Sequence, residues 1–128
     1  MLRKEFSSQK TPKISKEEIV EAVHFIYKNF ENPELNIREI AEHLEMEEGA
    51  VRSLFRKKMR TTPVKFIAEV RIQKSKTLLE EDTHSMAEIA RKSGFRNQDQ
   101  FRMYFLKLVG MPPHDFRQIL RYKRVIDM

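Results

Sequence analysis

The chain has 128 residues, no cysteine, 34% charged and 40% hydrophobic side chains, and a formal net charge of +6. That length holds one domain or two very small ones, and the missing cysteine excludes disulfide frameworks, thiolate zinc sites and cysteine nucleophiles. No apolar run exceeds four residues, and the N-terminus lacks an apolar stretch of signal-peptide length, so a cytoplasmic protein without a membrane span is expected.

Charge is unevenly spread. Residues 1–14 carry +3, residues 15–49 carry −7 and residues 50–128 carry +10. A basic excess in the last two-thirds suits a partner bearing phosphates, although lysine-rich solubility explains the total equally well.

Residues 1–14 read as a flexible tail or linker remnant. Beyond them, apolar spacings of three and four dominate and only three glycines occur, which argues for an all-helical protein. Ser15 with Glu18 forms a capping box that opens a first helix, with Ile19, Val23, Ile26 and Phe30 on one face. The segment Glu31–Glu34 breaks it. Asn36 caps a short helix, Ile37–Leu44. "EMEEG" turns into a further helix ending near Lys58. Thr62 before Pro63 marks the start of the longest helix, running to about Glu80. Ser85 with Glu88 makes a second capping box before "MAEIARKS". Asn97 caps a helix that ends near Leu108, where Gly110 stops it. Pro112 and Pro113 begin a last helix carrying Phe116, Ile119 and Leu120.

A repeat lies within this series. Ile40, Ala41 and Met46 fall on Ile89, Ala90 and Phe95, 49 positions on. After one inserted residue, Val51, Phe55, Pro63 and Phe66 fall on Phe101, Phe105, Pro113 and Phe116, 50 positions on. Each copy reads short helix, tight turn, longer helix, proline-started helix, and its first two helices match a helix-turn-helix. The spacing places 15–62 in a first subdomain, 63–81 in a linker helix and 82–128 in a second subdomain.

In the second copy Phe101, Phe105 and Leu108 form an inward row, leaving Asp99, Arg102, Met103 and Leu106 outside. Such an outer face fits a DNA major groove. Gln98 and Arg102 carry the paired hydrogen bonds that distinguish bases, Met103 and Leu106 suit thymine methyl groups or sugar edges, and Arg96 and Lys107 suit phosphates. In the first copy Val51, Leu54 and Phe55 point inward. Gly49, Arg52, Ser53 and Arg56 point outward, and Lys57, Lys58 and Arg60 make a basic end. Arg56 and Lys57 are its phosphate candidates. The linker helix spans roughly 27 Å, somewhat under the roughly 34 Å of one DNA turn. Two probes so spaced would enter successive major grooves, letting one chain read an asymmetric site without dimer symmetry. A plain helical bundle with solvated arginines is the bland alternative.

"EIARKSGFRNQDQFRMYFLKLVGMPPHDFR" closely resembles the signature of AraC-type (AraC/XylS) transcription regulators, through Ile89-Ala90, Gly94-Phe95, Phe101, Phe105, Gly110, Pro113 and Phe116-Arg117. The first copy matches more loosely through Ile40-Ala41, Phe55 and Pro63, and "VRIQKSKTLLEED" resembles the linker helix, with Arg71 and Leu78-Leu79 in the family's places. The resemblance covers about residues 15–122. It implies seven helices in two helix-turn-helix subdomains joined by one helix. It also implies a bacterial, nucleoid-associated regulator that binds double-stranded promoter DNA and contacts RNA polymerase, usually as an activator. Positions matching the family's base-contacting face are Gly49, Arg52 and Ser53 in copy one and Gln98, Asp99, Arg102 and Met103 in copy two. Arg71 matches a structural position.

Copy one departs from the pattern. The family usually has glycine where Glu45 sits, and an uncharged polar start where this chain has Glu47 and Glu48. Three readings stand: the carboxylates support the helix N-terminus, Glu48 accepts a hydrogen bond from cytosine, or they repel phosphates and weaken copy one. Helix support with some weakening is favoured. Asp99 raises the same question in copy two.

Catalysis is not expected. His24, His43, His84 and His114 are scattered singly, and no phosphate loop or nucleophile elbow occurs. No cofactor or metal is expected, and the domain is expected to be monomeric. The rival function is a protein-interaction module in which the first helix-turn-helix does not read DNA, with the acidic face Glu17, Glu18 and Glu21 meeting a basic partner. A sensor domain ahead of this segment is also compatible with the "SSQKTP" stretch.

Overall fold

The computed structural model describes residues 12–127. They form α1 (Pro12–Asn29), α2 (Ile37–Leu44), α3 (Glu48–Met59), α4 (Pro63–Glu81), α5 (Met86–Lys92), α6 (Gln98–Val109) and α7 (Pro113–Asp127), with no strand among the described residues. The all-α expectation with seven helices matches.

Four helix starts follow from side-chain caps that satisfy amides the helix itself leaves unpaired. Asn36 Oδ1 accepts from the Glu39 amide at 3.0 Å, Thr62 Oγ1 from Lys65 at 3.1 Å, and Asn97 Oδ1 from Gln100 at 2.8 Å. Ser85 and Glu88 form the reciprocal box, at 3.1 and 2.9 Å. The first helix is different. α1 starts at Pro12, so Ser15 lies inside it and the expected capping box is not its beginning. α1 therefore takes in residues 12–14 of the expected tail, and the rest of that tail lies outside the described residues.

The chain divides into two compact units. The first holds α1 as far as Lys28 together with Asn36–Lys65; the second holds Asn29–Leu35 and the chain from Phe66 onward. Ile19, Ala22 and Ile26 of α1, Ile40 and Ala41 of α2, and Val51, Leu54 and Phe55 of α3 are buried in the first unit. In the second, Ile72, Leu78, Leu79, Ile89, Ala90, Phe95, Phe101 and Phe105 form one cluster, with Tyr104, Leu108, Phe116 and Leu120 packed on it. Its rings meet edge to face, Phe101 on Phe105 at 5.7 Å and Phe105 on Phe116 at 5.3 Å.

Within each unit the helix-turn-helix backbone repeats bond for bond. Met46 N donates to Ala41 O and Phe95 N to Ala90 O, both at 2.9 Å. Arg60 N donates to Arg56 O at 3.0 Å and Gly110 N to Leu106 O at 2.9 Å. The turn residues are left-handed in both copies: Glu45 (φ 57) and Gly94 (φ 96), Arg60 (φ 57) and Gly110 (φ 97). Copy one thus holds non-glycine residues in a conformation that costs them roughly 1–2 kcal/mol each.

Gly94 has a second constraint. A Cβ there would overlap the Phe30 carbonyl oxygen and lie 2.9 Å from Arg71 Nε. That nitrogen donates to Phe30 O at 2.9 Å, and Arg71 Nη2 donates to Asn32 O at 2.8 Å. Gly94→Ala is expected to destabilise the protein by roughly 3 kcal/mol, combining left-handed strain with a backbone clash. Glu45→Gly should stabilise it by about 0.5–1 kcal/mol, the relieved strain less the added unfolded-state entropy. Denaturant unfolding followed by circular dichroism checks both.

Candidate nucleic-acid interface

Two helices present the candidate residues. On α6, Phe101 and Phe105 are fully buried while Gln98, Asp99, Arg102, Met103, Leu106 and Lys107 are exposed. Met103 and Leu106 remain 54% and 50% accessible, an outlay of apolar surface that the fold itself does not use. On α3, Val51, Leu54 and Phe55 are buried while Gly49, Arg52, Arg56 and Lys57 are exposed. Ser53 is half-buried and its Oγ accepts from Arg56 Nη2 at 3.2 Å. Nothing lies within 4 Å of where a Cβ would project from Gly49, so internal packing does not demand glycine there. The structure thus gathers Gly49, Arg52 and Arg56 on one outer face and Gln98, Arg102 and Met103 on another.

The arginines differ in what holds them. Arg52 Nη2 lies 3.6 Å from Glu48, and Arg102 Nη1 lies 3.4 Å from Asp99, each within its own helix. Glu47, at the N-cap of α3, makes no side-chain capping bond. The carboxylates therefore support α3 through field and ion pairing rather than by capping. Arg96 is engaged by Glu34 in a two-pronged bond at 2.9 and 3.4 Å, and its backbone amide donates to Gln100 Oε1 at 2.9 Å. A small hollow of about 100 Å³ adjoins the start of α6, lined by Gln98, Arg102, Met86, Phe101, Pro112 and Pro113 among others.

Part of the basic excess is paired within the chain. Asp82 receives Arg121 at 2.8 Å and Arg124 at 3.2 Å, with Arg117 at 3.8 Å. Arg117 Nη1 also donates to His84 O at 2.7 Å, and Arg124 to the Glu80 carbonyl. These three cations fasten α7 to the end of α4. Sequence patterning gave no sign of this, because Asp82 and Arg121 are 39 residues apart. His43 stacks on Phe25 at a centroid distance of 4.4 Å, with Glu21 at 3.3 Å. Among the described residues no three metal-binding side chains converge, and no helix is long and apolar enough to cross a membrane.

Residues 40–119 match the model of a helix-turn-helix domain family. The melibiose operon regulatory protein of Escherichia coli (strain K12) is 31% identical over 100 residues, covering 78% of this chain and 33% of that protein. The HTH-type transcriptional activator RhaR of Yersinia pseudotuberculosis is 30% identical over 71 residues, 56% of this chain and 24% of that one. The chain thus spans at most about a third of the length of these curated relatives. Among solved structures, the DNA-binding domain of AdpA, in complex with a target DNA, superposes with a TM-score of 0.77 at 23% identity, over 82% of this chain and 94% of that one. A transcriptional regulator of the AraC-type DNA-binding group from Chromobacterium violaceum gives 0.73 at 23% identity, over 83% and 94%. At that identity these two likenesses establish the fold.

The hydrogen bond from Arg121, helped by the nearby charges, holds the Asp82 carboxyl below its ordinary value of 3.8. A depressed carboxylate pKa contributes stability above the ordinary value and loses it as pH falls through the depressed one. Asp82→Asn is therefore expected to melt below the wild type at pH 7, with the gap closing as both are acidified past the carboxylate range. Thermal melts by circular dichroism across that range check it; a gap that persists unchanged in acid contradicts it.

Proposed function

The chain belongs to the AraC-type helix-turn-helix family, and from that premise we propose that it is the promoter-binding part of a bacterial transcription regulator, an activator, acting on double-stranded DNA. The outer faces of α3 and α6 each enter a major groove. Gly49, Arg52 and Ser53 on α3 and Gln98, Asp99, Arg102 and Met103 on α6 meet base edges. Arg56, Lys57, Arg96 and Lys107 meet phosphates, with Arg96 exchanging Glu34 for the backbone. The domain acts as a monomer, by binding rather than catalysis, in the cytoplasm at the nucleoid, and contacts RNA polymerase once seated.

One observation carries this reading. Two helices at a constant register of 50 residues each bury an apolar row and expose an arginine at the same place, Arg52 and Arg102. A solvated surface has no need of that correspondence, whereas two probes of one ligand do. The relatives' names support the same class: a melibiose operon regulator and a transcriptional activator, and AdpA's domain is seen on a target DNA.

Selection of bound sequences from a random duplex pool is expected to return two blocks about one helical turn apart. A single block would move the glutamate-rich α3 to the protein-contact role. Arg102→Ala should weaken binding to the selected site by about 1–3 kcal/mol while barely changing non-specific binding. Equal losses on both duplexes would reduce Arg102 to a backbone contact. Affinity should fall steeply and log-linearly with added salt, as counterion release requires.

A further inference from the structure

The ion pairs on α3 and α6 deepen the DNA-binding reading and rest on it. Arg52 and Arg102 are both exposed, and among the described residues each guanidinium has only the carboxylate on its own preceding turn as a partner. Register sets Gln98 opposite Glu48 and Gly49 opposite Asp99. The carboxylates therefore do not occupy equivalent positions. What the two helices share is the pairing itself.

We propose that Glu48 and Asp99 determine base specificity, each forming with its arginine a combined reader of one G·C base pair. In the major groove a G·C pair offers two acceptors, guanine N7 and O6, and beside them one donor, the cytosine N4 amine. A guanidinium with a carboxylate 3.4–3.6 Å away offers the complement: adjacent donors and then an acceptor. An A·T pair sets the thymine O4 or methyl group against that carboxylate, which is repulsive or leaves it unsolvated and unpaired. Helical side chains lean toward their N-terminus, which brings both groups to the end of a recognition helix that meets bases. The negative charge also disfavours phosphate contacts, so the arginine is not lost to the sequence-neutral backbone.

The test uses competition among duplexes. The pair read by each arginine is first located as the position whose preference disappears in Arg52→Ala or Arg102→Ala. There the wild type is expected to favour G·C over A·T by roughly tenfold or more. Glu48→Gln and Asp99→Asn, each at its own pair, should cut that preference to below about threefold, and should raise affinity for unrelated duplex as a charge near phosphates is removed. A second arm changes only the DNA: replacing that cytosine by 2-pyrimidinone, which lacks the exocyclic amine, should weaken wild-type binding and weaken the amide variants less, because their neutral oxygen is the poorer acceptor. Unchanged preference in the amide variants, with only a lower melting temperature, overturns the proposal and leaves the carboxylates as helix support. Indifference of the wild type to the missing amine overturns it also. A wild type that binds no duplex at low salt is a different failure, that of the DNA-binding reading itself.

Discussion

The second unit depends on a close approach between two stretches of backbone. The left-handed turn at Gly94 reaches the Asn29–Leu35 loop so nearly that no side chain fits between them, and Arg71 closes the contact by donating to Phe30 O and Asn32 O. Burial lowers the Arg71 pKa from its ordinary value, yet a guanidinium keeps its charge. Two loop carbonyls gain a charged donor in place of water, and leaving either unpaired would cost about 1–3 kcal/mol. With the loop fixed, the turn is fixed. Phe95 then enters the core, Phe101 and Phe105 follow it, and the opposite row of α6 has no direction left but outward. The candidate readers Gln98 and Arg102 are exposed as a consequence of packing behind them.

The first unit reaches the same turn geometry by a costlier route. Glu45 and Arg60 hold φ 57 where Gly94 and Gly110 relax to φ 96 and 97. Matching backbone bonds, from Met46 N to Ala41 O and from Arg60 N to Arg56 O, close both turns despite the side chains. The strain is sustained by the buried Val51, Leu54 and Phe55 row. The α2–α3 turn is therefore the more strained of the two, and local opening should be easier there than at the α5–α6 turn.

Much of this was legible from sequence. Caps at Asn36, Thr62, Ser85 and Asn97 marked helix starts because a short polar side chain before an apolar row has one good use. The repeat gave inner and outer rows, because a 50-residue register fixes which residues share a face. Ser15 misled because the residues just before it, Pro12 to Ile14, are already helical. Pairings across long separations were invisible: Arg96 with Glu34, 62 residues apart, and Asp82 with Arg121 and Arg124. Three arginines of α7 thus also serve the fold, gathered on the single carboxylate of Asp82.

The central claim is that the outer faces of α3 and α6 are the surfaces that meet DNA. Titrating the isotopically labelled protein with its selected duplex and following amide and arginine side-chain resonances tests this most directly. The account predicts shifts concentrated in Glu48–Lys57 and Gln98–Lys107, with the Arg71 guanidinium signal unmoved. Shifts confined to the exposed Ile119, Tyr122 and Ile126 side of α7, or absent from both recognition helices, would contradict it.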